Sequence, residues 1–256
     1  MIDPRAIIDP KARVAEDVTI GPYSIIGADV EIGSGCHIGP HVVIRGPTTL
    51  GRNNRVFQFA SLGDAPQDKK YRDEPTRLVI GDDNTIREYV SINRGTIQDQ
   101  GLTQVGNRNW IMAYVHIAHD CVLGDDIIMA NNAGLAGHVR IDDFVIMGGY
   151  SMVHQFCKIG AHAFVQFATG VTRDVPPYVL AGERVACPRG LNLEGLRRRG
   201  FTAEQISRLK KAYKLLYRES LTLEEAREKI TEIGRDHPEI DVLAKFLVDN
   251  PRSIIR

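Results

Sequence analysis

The chain is expected to fold as a left-handed parallel β-helix of hexapeptide repeats, a triangular prism, followed by a C-terminal α-helical domain. Three observations carry this expectation. An aliphatic residue returns every sixth position through Val105, Ile111, Ile117, Leu123, Met129, Leu135, Ile141, Met147, Val153, Ile159, Val165 and Val171. Four residues after most of these stands a small or β-branched side chain, as at Val115, Cys121, Ala133, Val139, Ser151, Cys157 and Ala163. The repeat then ends near Pro176-Pro177, and the composition turns helical after Asn192. A period of six fits neither the 3.6 of a helix nor the alternation of a hairpin sheet. It is the repeat of a hexapeptide β-helix, in which three hexads close one coil of roughly 18 residues. Coils stack at the ordinary inter-strand spacing of about 4.8 Å.

The rhythm starts at once, with Ile8, Val14, Ile20, Ile26, Ile32, Ile38, Ile44, Leu50, Val56 and Leu62. It breaks over about 64–78, where GDAPQDKKYRDEPTR interposes a polar segment, and resumes at Ile80, Ile86 and Ile92. A second excursion, RGTIQDQGLT at about 94–103, precedes Val105. Two such departures from so regular a scaffold read as functional loops, because loops on a rigid body carry most binding chemistry. Residues 1–190 are thus assigned to the β-helix and 191–256 to the helical domain. In the latter, Thr202-Ala-Glu-Gln205 and Thr222-Leu-Glu-Glu225 are capping boxes that open helices. Ile206, Leu209, Ala212, Tyr213 and Leu216 give the first of these an apolar stripe, and Ala226, Ile230 and Ile233 give the next a weaker one. Pro238 is expected to start a further helix holding Val242, Leu243, Phe246 and Leu247.

Lys+Arg and Asp+Glu balance at 32 each, so no global field draws the chain to nucleic acid or to an anionic membrane. No apolar run approaches the roughly 18 residues that span a bilayer, and MIDPRAIIDP lacks the features of a signal peptide. A cytoplasmic protein without stable membrane insertion is expected. Cys36, Cys121 and Cys157 fall at the small inward position of a hexad, where Cys packs as a compact apolar residue, and neither a disulfide nor a CxxC metal site is suggested. A single prism has only shallow grooves. A homotrimer with parallel axes and clefts shared by two chains is therefore expected.

Histidines gather where the repeat is most regular: His116, His119, His138 and His154 all fall outside the inward slots. One outward histidine is usually solvated surface; four within three successive coils point to a site. Residues one coil apart lie above one another, so Gly137 is expected beside His119, placing a backbone N–H without a side chain next to an imidazole. Asp120 either holds the His119 tautomer that leaves Nε2 free or serves as a corner turn residue. A rival chemistry is zinc held by three histidines, as in hexapeptide carbonic anhydrases, but His116-x-x-His119 followed by His138 does not match that arrangement.

The segments QDKKYRDEPTRLVIGD, IREYVSINRGT, MAYVHIAHDC, MANNAGLAGHV, VHQFCKIGAH, DVPPYV and NLEGLRRRGF resemble the UDP-N-acetylglucosamine 3-O-acyltransferase family of lipid A biosynthesis. The resemblance covers nearly the whole chain. It implies transfer of an (R)-3-hydroxyacyl group from acyl carrier protein, with its phosphopantetheine arm, to the sugar 3-hydroxyl of UDP-N-acetylglucosamine, without another cofactor or a metal. By the same resemblance His119 matches the general base and Gly137 the oxyanion donor. Asp68 and Lys70 match residues that hold the sugar and phosphate end. His116, His138 and His154 match histidines lining the cleft, and Gln155 a nucleotide contact. Asn192, Glu194, Arg198 and Arg199 match the group that grips uridine and diphosphate.

Two departures stand out. Asn93 replaces a histidine found in many members (IHRGT), and Phe167 replaces a small residue that in some relatives leaves room for a long acyl tail. Phe167 therefore implies a chain nearer ten carbons than fourteen. A basic surface for the acidic carrier protein is expected on Arg208, Lys210, Lys211, Lys214 and Arg218.

Other readings differ in class. The later N-acyltransferase of the pathway carries an N-terminal uridine-binding domain, for which hexads beginning by Ile8 leave no room. Acylation of a 3-amino analogue of the sugar is open to the same site. A purely structural β-helix would show ladders of Thr or Asn on its outer face, whereas these outer positions are heterogeneous.

Overall fold

A computed structural model describes residues 1–249 and 253–256. Over the first three quarters of the chain, two- to four-residue strands wind into a left-handed parallel β-helix. Among the described residues they form three sheets of nine, eight and ten strands, one per prism face. The sheet that contains Ile7–Ile8, His116–Ile117 and Gly134–Leu135 is termed the first face. The sheet with Val122–Leu123 and Arg140–Ile141 is the second, and that with Ile128–Met129 and Ile146–Met147 the third.

The six-residue rhythm is the direct cause. Every aliphatic residue from Val105 to Val171 in the series above is at most 2% exposed, and so are Cys121, Ala133, Val139, Ser151 and Ala163. Burying one such aliphatic side chain contributes about 1.5–3 kcal/mol. Register follows the coil length: Ile117 pairs with Leu135 and Leu135 with Val153. The two excursions lengthen their coils without disturbing this alignment, because Leu62 still pairs with Ile92 across the first and Ile92 with Ile117 across the second.

From Tyr23 onward most corners are turned by a residue in the left-handed region, Asp120 (φ +58°), His138 (+63°) and Phe156 (+65°) among them. On the edge between third and first faces, Tyr23, His41, Phe59, Tyr89 and Tyr114 stack ring on ring at 4.9–5.2 Å, which offsets the steric cost of that conformation. On the edge between second and third faces the inward slots of Asn54, Asn84 and Asn109 form a buried amide ladder. Asn84 Nδ2 donates to Asn54 Oδ1 at 3.0 Å and Ile127 N–H donates to Asn109 Oδ1 at 2.8 Å.

The last strands, Val179–Gly182 and Cys187–Leu191, pair antiparallel. Four helices follow: α1 (Leu193–Arg198), α2 (Ala203–Tyr217), α3 (Leu223–Gly234) and α4 (Pro238–Val248). Both capping boxes close as the sequence implies, with Thr202 and Gln205 at α2 and Thr222 and Glu225 at α3. A second core of Tyr178, Leu196, Leu209, Leu216, Ile230, Leu243 and Phe246 joins the helices to the prism end. One expectation is corrected here. Arg208 is not part of an exposed basic row, because its Nε donates to Glu239 Oε1 at 2.5 Å, where the Glu239 side chain is 5% exposed. No helix among the described residues is long and apolar enough to cross a membrane.

Candidate active site

The first and second faces meet along an edge where three successive corners carry His119-Asp120, Gly137-His138 and Gln155-Phe156. Both excursions leave the prism at this same edge: residues 65–76 follow Ser61–Asp64, and residues 94–101 follow Ser91–Asn93. Together they wall a cleft of about 720 Å³ lined by Asp68, Lys70, Thr96, Gln98, Asp99, His119, His138, Gln155 and Phe156.

At the centre His119 Nδ1 lies 2.8 Å from Asp120 Oδ2. The ring is 15% exposed and the carboxylate 1%. Asp120 is both a left-handed corner residue and a tightly held acceptor, so the two alternatives for it coincide. Thr96 donates its N–H to Asp120 Oδ1 at 2.9 Å and its hydroxyl to Oδ2 at 2.6 Å, and the Asp120 N–H donates to Thr103 Oγ1 at 2.8 Å. Burial pushes the Asp120 carboxyl up, but the hydrogen bonds from His119 and Thr96, with the charge of His138, outweigh it and hold the group below the ordinary carboxylate range. A carboxylate so held accepts Nδ1–H from His119 and leaves Nε2 as an acceptor facing the cleft.

Gly137 sits where the coil register puts it, one turn beyond His119. A Cβ built there would lie 2.6 Å from His119 Cε1 and 2.8 Å from Nε2, so only glycine lets the imidazole lie against this backbone. Its N–H is unengaged among the described residues. The edges differ here: between second and third faces the amides of Arg52, Asp82, Asn107 and Asp125 each donate to an Asp or Asn side chain of the next coil at 2.6–2.8 Å. On this edge the equivalent amides of His119 and Gln155 are unengaged too, among the described residues, and Gly137 is distinguished by having no side chain beside His119.

His138 stacks on Phe156 (4.4 Å, 11°) and meets His119 edge to face (5.1 Å, 88°). His116 lies on the first face beside His119, with Nδ1 2.8 Å from Ser91 Oγ, and burial and the His119 ring lower its pKa. His154 and Gln155 are exposed at the next corner. His119, Asp120 and His138 also form a group whose ligating atoms lie within 4.8 Å of one another, the arrangement that could hold a metal ion.

The remaining residues singled out by sequence lie elsewhere. Asn192 is 6% exposed and caps α1, with Oδ1 accepting Gly195 N–H at 3.2 Å and Nδ2 donating to His162 O at 3.0 Å. Glu194 pairs with Arg198 at 3.0 Å. Arg199 lies over the Phe144 ring at 5.0 Å, where burial lowers its pKa. Phe144 and His162 belong to the edge between second and third faces. Phe167, 70% exposed, is on the edge between third and first, with Tyr150 as its aromatic neighbour. One chain therefore does not bring Arg199 or Phe167 to His119. Asn93 is 5% exposed, and its Nδ2 donates to Ala65 O at 2.9 Å so that it pins the base of the first excursion.

Sequence reasoning missed Thr96, Gln98, Asp99 and Phe156. Phe156 stands one coil beyond His138, so the register that found Gly137 could have found it. The other three lie in an excursion, where no period applies.

Comparison with known proteins bears on the chain as a whole. A family model described as UDP N-acetylglucosamine O-acyltransferase, domain 2, matches residues 174–255, and one for bacterial transferase hexapeptides (six repeats) matches 11–46 and 102–137. The acyl-carrier-protein-dependent UDP-N-acetylglucosamine O-acyltransferase of Thiobacillus denitrificans is 56% identical over 255 residues, spanning 100% of this chain and 99% of its own length. That of Herminiimonas arsenicoxydans is 55% identical over 260 residues, with the same coverage. Among solved structures, the UDP-N-acetylglucosamine O-acyltransferase of Moraxella catarrhalis superposes with a TM-score of 0.97 at 44% identity, covering 100% of this chain and 99% of the other. The Francisella novicida UDP-N-acetylglucosamine acyltransferase gives 0.98 at 43% identity, covering 100% and 94%. Identity at this level across the whole length, helical tail included, together with a fold that superposes throughout, makes the chain a member of the UDP-N-acetylglucosamine O-acyltransferase family.

Proposed function

We propose that the chain moves an (R)-3-hydroxyacyl group from acyl carrier protein to the 3-hydroxyl of UDP-N-acetylglucosamine by direct transfer, with His119 as general base. The observation that carries this is the His119, Asp120 and Gly137 constellation. Nε2 of His119 takes the proton of the sugar hydroxyl as its oxygen attacks the thioester carbonyl. The developing oxyanion accepts the unengaged Gly137 N–H. Collapse breaks the C–S bond, and the departing thiolate takes the proton back from His119. A cysteine intermediate has no support, since Cys121 is fully buried, its Sγ donates to Ala136 O at 3.2 Å, and burial pushes its thiol up to about 12.

Three groups of residues stand on three different prism edges, and this is the argument for a trimer: Arg199 and Phe167 can serve the His119 cleft only from neighbouring copies. Adjacent guanidiniums at Arg198 and Arg199 suit a diphosphate. Phe167 would then close an acyl groove early and favour a chain of about ten carbons. For the carrier protein, Lys210, Lys214 and Arg218 rim a groove of about 270 Å³ floored by Leu191, Leu193 and Tyr213, a basic rim around an apolar seat that suits an acidic partner.

The test is a mass-spectrometric assay of purified protein with UDP-N-acetylglucosamine, its 3-amino analogue and a panel of 3-hydroxyacyl carrier proteins. His119→Ala is expected to lower the rate by about 10³-fold while UDP-sugar binding and thermal stability persist. Retained activity would mean that another group is the base.

A further inference from the structure

Asp99 lies in the second excursion, within reach of a histidine on the prism. Its Oδ2 is 2.9 Å from His138 Nδ1, with the two side chains 36% and 13% exposed. Other contacts already fix the plane of that imidazole. Phe156 covers one side at 4.4 Å and the His119 ring meets it edge to face at 5.1 Å, while the backbone N–H of His138 holds the corner itself by donating to His119 O at 3.0 Å.

One freedom is left by these contacts. A half-turn of the ring exchanges nitrogen for carbon along each edge and keeps the stack intact. A carboxylate accepts from N–H far better than from C–H, so Asp99 removes that freedom. With Nδ1 turned to Asp99, Nε2 faces the cleft, 3.9 Å from Asp120 Oδ2.

The excursion is itself anchored to the same centre. Thr96, from the same loop as Asp99, is 1% exposed and donates twice to Asp120, while Gly101 N–H closes the loop on Thr96 O at 3.0 Å. A side chain at Gly95 would strike Leu102 N and Asp120 Oδ1, so the loop approaches the prism as closely as its backbone allows. One loop thus carries the partner of each imidazole, Thr96 acting on His119 through Asp120 and Asp99 acting on His138 directly.

We propose that Asp99 is a positioning residue for the acyl transfer, selecting the ring orientation of His138 so that Nε2 rather than carbon meets the bound sugar. The proposal rests on the reading of this cleft as the acyltransferase site.

The test compares Asp99→Ala and Asp99→Asn in the parent enzyme and in His138→Ala. Asp99→Ala is expected to lower kcat/KM by about tenfold, a share of what acid–base groups contribute. Asp99→Asn, whose amide oxygen can accept the same Nδ1–H, should return to within about threefold of the parent. In the His138→Ala background the Ala substitution should cost less than about twofold, because the residue it acts through is gone. Parent-like activity of Asp99→Ala, or an undiminished tenfold loss without His138, would overturn the proposal. His119→Ala in the same assay separates the two ideas. If it stays active the reading of the cleft fails, and if it is inactive while Asp99→Ala is normal only the role of Asp99 fails.

Discussion

Replacing Gly137 by Ala changes one hydrogen for one methyl at the most crowded point of the site. Gly137 is outside the left-handed region, so the backbone itself accepts alanine. The methyl does not fit. It would lie 2.6 Å from His119 Cε1, whereas ordinary contact begins at 3.4 Å, so the imidazole must retreat by about 0.8 Å. A shift of that size at a reacting group costs about 10²-fold, or about 2.7 kcal/mol of transition-state stabilisation. The Gly137 N–H survives the change, and the ring can move into the cleft, so the melting temperature should stay within a few degrees of the parent. Steady-state kinetics with saturating carrier protein would show kcat down by about two orders of magnitude and KM for the UDP-sugar little altered. A Gly137→Ala enzyme within about threefold of the parent in kcat would refute the placement of the base against this backbone.

Phe167→Gly removes an exposed ring, so it should leave stability nearly unchanged while shifting donor preference towards longer acyl chains; an unaltered chain-length series would end that idea. Charge reversal at Lys210 and Lys214 should raise KM for the carrier protein, most at low salt, without weakening UDP-sugar binding measured by calorimetry. His162 is stacked between Phe144 and Tyr178, and burial together with Arg199 lowers its pKa to about 4. The folded value lies below the unfolded one of about 6.5, so the unfolded chain binds the proton first. Its contribution is therefore complete above about pH 6.5 and is lost as pH falls towards 4, on the order of 2 kcal/mol after allowance for partial exposure. Melting curves at pH 7 and pH 5 should show a larger drop for the parent than for His162→Phe, and equal drops would refute the assignment.

The β-helix was legible because its period is set by backbone geometry: each inward slot from Val105 to Val171 is where counting in sixes puts it. Counting by whole coils also put Gly137 beside His119. The same count failed wherever chain was inserted. Thr96 and Asp99 reach Asp120 and His138 through a loop whose path depends on Gly95 and on hydrogen bonds invisible to any period. Asn192 and Arg208 looked alike in sequence to neighbouring exposed polar residues, and only packing shows one capping α1 and the other bound to Glu239. The antiparallel pair Val179–Gly182 and Cys187–Leu191 lies beyond the last hexad and carries no repeat to announce it.

Because Leu62, Ile92 and Ile117 stay aligned although both intervening coils carry extra chain, the scaffold treats inserted segments as cargo hung outside the wall. Length can be added or trimmed at the His119 edge without retuning the barrel of aliphatic rungs beneath it. The same frame thus has room for differently shaped walls along the edge that carries His119.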